Sequence, residues 1–248
     1  DEKADRRRTR RSLTEAELRR LLDVARRRPL IDRATIRRGP RKGEVACNLR
    51  AETRCKLERL GWERALIYKT MVLTGLRKGE LAAVTVGQLE LDGPVPHIQL
   101  DAAHEKNREG NTIPLRADLV ADLRAWLRDQ AENAAHDAAT VPFDRNARNA
   151  EKLNTGDSRG CYGLPWDTPL FTVPAGLVRI LDRDLTLAGI PKRDERGRTV
   201  DVHALRHSFG TLLSVAKVAP RTAQAAMRHS TLDLTMNVYT DPKLLDVA

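Results

Sequence analysis

One interval of this sequence, residues 84–115, carries three short strand candidates among stretches that read mostly with helical period, which points to a mainly α body carrying one small sheet. Inside it, 84–90, 95–100 and 111–115 read as short strands, with Gly93 and Pro94 punctuating the first pair and a long polar loop at 101–110. Ahead of it, a helix is expected to start at Thr14. That residue can cap Glu17 and receive a bond in return, Leu13 and Leu18 can form a staple, and Leu18, Leu21, Leu22 and Ala25 give the apolar face. The pattern ends near Arg28, before Pro29, and 37–43 reads as a loop. Helices are next expected at 46–60 and 62–74, separated by Gly61 and stopped by Gly75, followed by a short one at 77–82 with Arg77 in its first turn. Beyond the strands the helical stretches are 117–130, 174–188, 203–216, 220–228 and 231–239. Residues 132–170 mix small, polar and turn residues and read as an insertion, while residues 1–11 have no apolar period and read as a basic tail or the remnant of a linker.

Charge is distributed unevenly. The net charge is +10, yet residues 1–42 hold sixteen Lys or Arg against seven Asp or Glu, so nearly all the excess lies there. An arginine-rich end is either a solvated tail or an arm for a polyanion. Aromatic residues are only 4%, which weakens readings based on stacked bases or sugars. No apolar run is long enough to span a membrane, and the start lacks the apolar stretch of a secretory signal. Three cysteines at irregular spacing, Cys47, Cys55 and Cys161, fit a reducing compartment.

The motifs are individually ambiguous. In HALRHSFG, 203–210, the stripe of Leu205, Phe209, Leu212, Leu213 and Ala216 leaves His203, Arg206, His207 and Gly210 on the opposite side. That side is either a solvated surface or a place where His203 and Arg206 converge on a ligand. Gly210 would let another backbone, or nucleic acid, come close. His203 and His207 have the spacing of a metal-binding pair, but Ala204 stands where HExxH requires Glu. In TGLRKGEL, 74–81, Glu80 is placed to orient Arg77. Lys106 lies in the polar loop HEKNREG. His229 sits in a turn beside Ser230, a plausible helix cap, and Tyr239 follows ten residues later.

Taken together, LTGLRKGEL, HALRHSFGTLL, MRHS and that tyrosine resemble, in order and spacing, the catalytic domain of the tyrosine recombinases, or phage-type integrases. The resemblance runs from about Leu13 to Thr240. It implies a mainly α domain, residues 12–248, with a small three-stranded antiparallel sheet. It implies Arg77 and Arg206 as the catalytic arginines, Glu80 as their acidic support, Lys106 and His203 as proton-handling groups, His229 as a phosphate ligand and Tyr239 as the nucleophile. The activity implied is site-specific strand cleavage and rejoining through a 3′-phosphotyrosyl intermediate, with no cofactor and no metal. The partners implied are double-stranded DNA, contacted along its backbone by Arg37, Arg38, Arg41 and Lys42, and three further copies of the chain on paired sites. The setting implied is the cytoplasm, for a protein encoded by a bacterium, a phage or a mobile element, with no membrane. Two positions depart from the family pattern, Lys217 and Arg228, each standing where glycine is common; both bear on turn geometry. The family usually carries a helical core-binding domain ahead of this one, for which the chain has no room. The rival readings are a relaxing topoisomerase with a similar tyrosine and arginine pair, and a DNA-binding protein with an idle pocket.

Overall fold

A computed structural model gives the architecture and describes residues 9–45, 48–101, 110–140 and 161–239. The chain divides into two compact units, one formed by Asp1–Leu81 with Phe171–Ala248 and the other by Ala82–Leu170.

The first unit is helical. Helix α1 spans Glu15–Ala34 and opens with the expected reciprocal cap: Thr14 accepts from the Glu17 N–H, and the Glu17 carboxylate accepts from the Thr14 N–H. It does not end at Arg28 but runs through Pro29. The ring removes one helical bond there, and Pro29 is itself buried within the unit. Helix α2 spans Ala51–Thr74 without interruption. Gly61 is therefore not a break. A β-carbon at that position would lie 1.9 Å from the Arg26 carbonyl oxygen, so the glycine is what lets α2 cross α1 closely. Changing Gly61 to Ala is expected to lower stability by about 1–3 kcal/mol through overpacking against backbone that has little freedom to yield; an unchanged urea midpoint would contradict this crossing.

Helix α2 ends where predicted, with Gly75 in the left-handed conformation at φ 64° and its N–H bonded to Met71 O. After it come α3, Lys78–Ala83, and, beyond the second unit, α5 at Leu177–Leu187, α6 at Val202–Val215 and α7 at Pro220–Met227. The predicted last helix is present over 232–238 but is π-helical across Leu234–Val238, and it delivers Tyr239 at its end. A buried ionic cluster ties α1, α2 and α5 together. Arg28 donates to Asp184, which is fully buried, and to Asp32, while the Tyr68 hydroxyl donates to Asp184 at 2.8 Å. Burial, then the Asp184 charge and hydrogen bond, push the Tyr68 phenol above its ordinary value, so it stays protonated.

Residues 9–11 are docked rather than free. Arg10 pairs with Asp201, Arg11 donates to Glu17 and to Pro191 O, and the backbone around them bonds to Thr199. The basic tail suggested by the sequence is thus fixed to the body over these three residues, and its earlier part lies outside the described residues. Between α1 and α2, Arg37, Arg38, Arg41 and Lys42 are exposed, with Arg41 paired to Glu44.

The second unit holds the expected antiparallel sheet in the order β1-β2-β3: β1 Leu89–Glu90, β2 His97–Leu100 and β3 Asn111–Pro114. The register aligns Leu89 with Ile98 and Ile98 with Ile113, which stacks three buried side chains on one face. Strand β1 is shorter than predicted because Val86–Gln88 forms a 3₁₀ turn. Helix α4, Ala117–Thr140, runs ten residues past its expected end, into the stretch read as an insertion. The end of that stretch rejoins the unit's backbone: Val86 N–H bonds Thr168 O, Gly87 N–H bonds Trp166 O, and Trp126 donates to Leu170 O. No helix among the described residues is long and apolar enough to cross a membrane.

Candidate active site

The first unit gathers Arg77, Glu80, His203, Arg206, His229 and Tyr239. Each is placed by a helix end or turn. The left-handed turn at Gly75 releases the chain from α2, so that Arg77 precedes α3. Glu80 then caps α3 from within: one carboxylate oxygen accepts the Arg77 N–H at 2.8 Å, the other accepts the Arg77 guanidinium at 2.6 Å. Glu80 is buried, and burial alone would raise its carboxyl. The Arg228 charge and the Arg77 donors together outweigh that and hold it below the usual carboxylate value. Arg77 remains partly open, at 29% exposure of its side chain, and can reach a ligand.

Asp201 caps α6 through the Ala204 N–H, which sets His203 in the first turn and Arg206 one turn later. The side of α6 opposite its apolar stripe is not a solvated surface. Arg206 is 0% exposed and His207 6%. The Arg206 guanidinium donates to the carbonyls of Gly75 and Met227, and its Nε has no hydrogen-bond partner among the described residues. Burial, then the charges of Arg77 and Arg228, push its pKa down to about 10, which leaves it cationic at neutral pH. A cleft of about 410 Å³ is lined by Arg77, Lys78, Lys192, Arg193, His203 and Arg206, together with Asp201 and apolar side chains such as Met71, Leu76 and Val178.

Tyr239 packs among three histidines. Its hydroxyl hydrogen-bonds His203 Nε2 at 2.7 Å; its ring stacks on His207 at 4.3 Å and lies 4.3 Å from His229. The Arg206 guanidinium carbon is 5.8 Å from the ring centre. Gly210 makes this possible: a β-carbon there would lie 2.7 Å from Tyr239 O, so the backbone that approaches it is the tyrosine's own. His229 is held by Thr235 at 3.0 Å through Nδ1, while its buried Nε2 has no partner among the described residues.

The three histidines are kept neutral. Burial, then Arg10 and Arg206, push His203 down to about 4. Burial, then His203, Arg10 and Arg206, push His207 down to about 3. Burial, then Arg206, Arg77 and Arg228, push His229 down to about 3. In the unfolded chain these imidazoles take up protons near pH 6.5, so below that value the unfolded state binds more protons than the folded one. Stability should therefore be complete above roughly pH 6.5 and decline as pH falls toward the folded values. Urea midpoints measured from pH 7.5 to 5 are expected to fall, and His207→Asn should make the slope shallower; a flat profile would contradict neutral burial.

Lys106, in the β2–β3 loop, lies outside the described residues. Two contributors stand outside the expected set of site residues. His207 stacks on the tyrosine, for which its place in the HxxxH spacing was the available signal. Arg228 enters through its side chain, for which the missing glycine was the signal. The doubt over turn geometry resolves simply: Lys217 and Arg228 both adopt the left-handed conformation, at φ 56° and 51°. Among the described residues no group of three or more His, Cys, Asp or Glu is arranged to hold a metal ion.

No family model matches the chain. A curated relative, tyrosine recombinase XerC of Pelotomaculum thermopropionicum, is 25% identical over 181 residues, which is 73% of this chain and 50% of that protein. Two solved structures share the fold. XerH site-specific recombinase bound to palindromic difH substrate, in a post-cleavage complex, matches with TM-score 0.53 and 19% identity over 93% of this chain and 49% of that one. XerA recombinase matches with TM-score 0.54 and 16% identity over 95% of this chain and 61% of that one. The chain spans about half the length of the XerC and XerH proteins it matches.

Proposed function

We propose that this chain, which has the fold of the tyrosine recombinase catalytic domain, is the cleaving and rejoining part of a site-specific DNA recombinase. The observation that carries the reading is a phenol hydrogen-bonded to the His203 imidazole at 2.7 Å, with Arg206 5.8 Å from its ring and with Arg77, His203 and Arg206 lining one cleft. A phenol is a weak nucleophile until its proton is taken. His203, in the tautomer with its proton on Nδ1, accepts that proton at Nε2. Tyr239 Oη then attacks phosphorus, the bond to the 5′-oxygen breaks, and a 3′-phosphotyrosyl ester forms. Arg77 and Arg206 stabilise the nonbridging oxygens with forked N–H donors. The free Nε2 edge of His229 serves the same oxygens in the tautomer that carries its proton there. Lys106 supplies the proton to the departing 5′-oxygen. A 5′-hydroxyl from a partner strand reverses the chemistry. Bonds broken and formed are alike, so no nucleotide cofactor is required, and the guanidinium groups supply the charge that a metal ion otherwise would.

The exposed Arg37, Arg38, Arg41 and Lys42 are assigned to the DNA backbone, where they add salt-dependent affinity and little base discrimination. Exchange between two duplexes calls for four copies of the chain, one for each strand cut. The catalytic domain is assigned to residues 12–248, with 132–170 as an insertion in it.

The test uses a pool of random-sequence duplexes, each nicked so that cleavage releases a short fragment and traps the intermediate. The native chain should form a denaturant-resistant adduct in excess chelator, with DNA attached to the peptide containing Tyr239. No adduct from the pool, or one that strictly needs a divalent ion, would sink the reading.

A further inference from the structure

Arg228 sits at the C-terminal end of α7 with φ 51° and ψ 47°, a conformation that costs any side chain with a β-carbon and costs glycine nothing. Its side chain is only 5% exposed, and it spans to the far side of the site, where it donates to the Glu80 carboxylate at 2.9 Å. The same oxygen of Glu80 accepts the Arg77 N–H, and the other accepts the Arg77 guanidinium. Gly75 O accepts from Arg206 and, at 3.4 Å, from Arg228. The neighbours of Arg228 in sequence are engaged as well: Met227 O holds Arg206, and His229 lies against Tyr239. Glycine would serve the turn better, and an apolar side chain would serve burial better. The arginine therefore needs an electrostatic reason.

Glu80 alone would neutralise much of the Arg77 charge on which a phosphate grip depends. With Arg228 on the same carboxylate, the set of Arg77, Arg206, Arg228 and Glu80 keeps two net positive charges. We propose that Arg228 is a positioning residue for cleavage: by sharing the Glu80 carboxylate it fixes the Arg77 fork and preserves its pull on a bound phosphodiester. This rests on the recombinase reading above.

The experiment measures single-turnover adduct formation by the full chain on a nicked duplex recovered from the random pool, with non-covalent affinity and thermal midpoint measured in parallel. R228G suits the turn, and is expected to bind within about threefold of native but cleave about 100-fold more slowly. R228K keeps charge but not the fork, and is expected to be about 10-fold slower than native. The double variant with E80Q should be no slower than the slower single variant, because both changes break one shared unit. Native-like cleavage by either single variant, or losses that multiply in the double variant, would overturn the proposal. Should R228G not fold, R228K and its combination with E80Q decide. Native protein that forms no adduct overturns the recombinase reading and this one with it; native protein that does, with a variant that matches it, overturns this one alone.

Discussion

Changing Tyr239 to phenylalanine is expected to abolish the covalent DNA product while the chain still folds and still binds duplex. The change removes one oxygen atom. Its hydrogen bond to His203 goes, at a cost to stability of about 1 kcal/mol. The contacts of the ring with His207 and His229 remain, as does the close backbone seat at Gly210. Tyr68, fully buried and donating to Asp184, cannot take over. Denaturing electrophoresis of the nicked-duplex reaction checks this directly. An adduct of undiminished yield would mean that the nucleophile has been assigned wrongly. Loss of duplex binding as well would mean that the hydroxyl holds the site together instead of reacting.

The parts of this molecule that local chemistry determines were legible in the sequence, and the parts that distant contacts determine were not. The reciprocal cap of Thr14 and Glu17 involves residues three apart, and so does the pair of Arg77 and Glu80; both occur as read. The three strands were marked off by the turn residues and polar loop between them, and they pair in the antiparallel manner that the family resemblance implies. Gly61 misleads because glycine lowers helix propensity wherever it stands, whereas its actual role is set by the Arg26 carbonyl of another helix. Pro29 misleads in the same way. The π-helical turn before Tyr239 has no signature in a 3.6-residue period. The burial of Arg206 is the most instructive case. A helical projection puts it opposite the apolar stripe and hence toward water, yet carbonyls of Gly75 and Met227, remote in sequence, enclose it. The resemblance to a family named Arg206 and other residues that the wheel alone would have left on the surface and that the fold brings into one unit, and it said nothing of the side chain that Arg228 would bring.

Changing Arg206 to lysine should damage both fold and chemistry, and the two losses can be separated. The guanidinium spans two carbonyls, one at the end of α2 and one at the end of α7, from a position with no exposure. A lysine ammonium is a point donor on a flexible stem and cannot span both. A carbonyl left unsatisfied in the interior costs about 1–3 kcal/mol, which should be read as a lower urea midpoint. The loss of forked donors to the phosphate should in addition lower single-turnover cleavage by about 100-fold or more. Assaying at a temperature where the variant is fully folded removes the first effect and leaves the second. The matching change at Arg77 is the control. That side chain is 29% exposed and, among the described residues, is fastened by Glu80, so Arg77→Lys should keep the urea midpoint near native while losing most cleavage. If both lysine variants cleave at the native rate when folded, bare positive charge is sufficient, and the two-pronged geometry that distinguishes arginine from lysine has no part in the reaction.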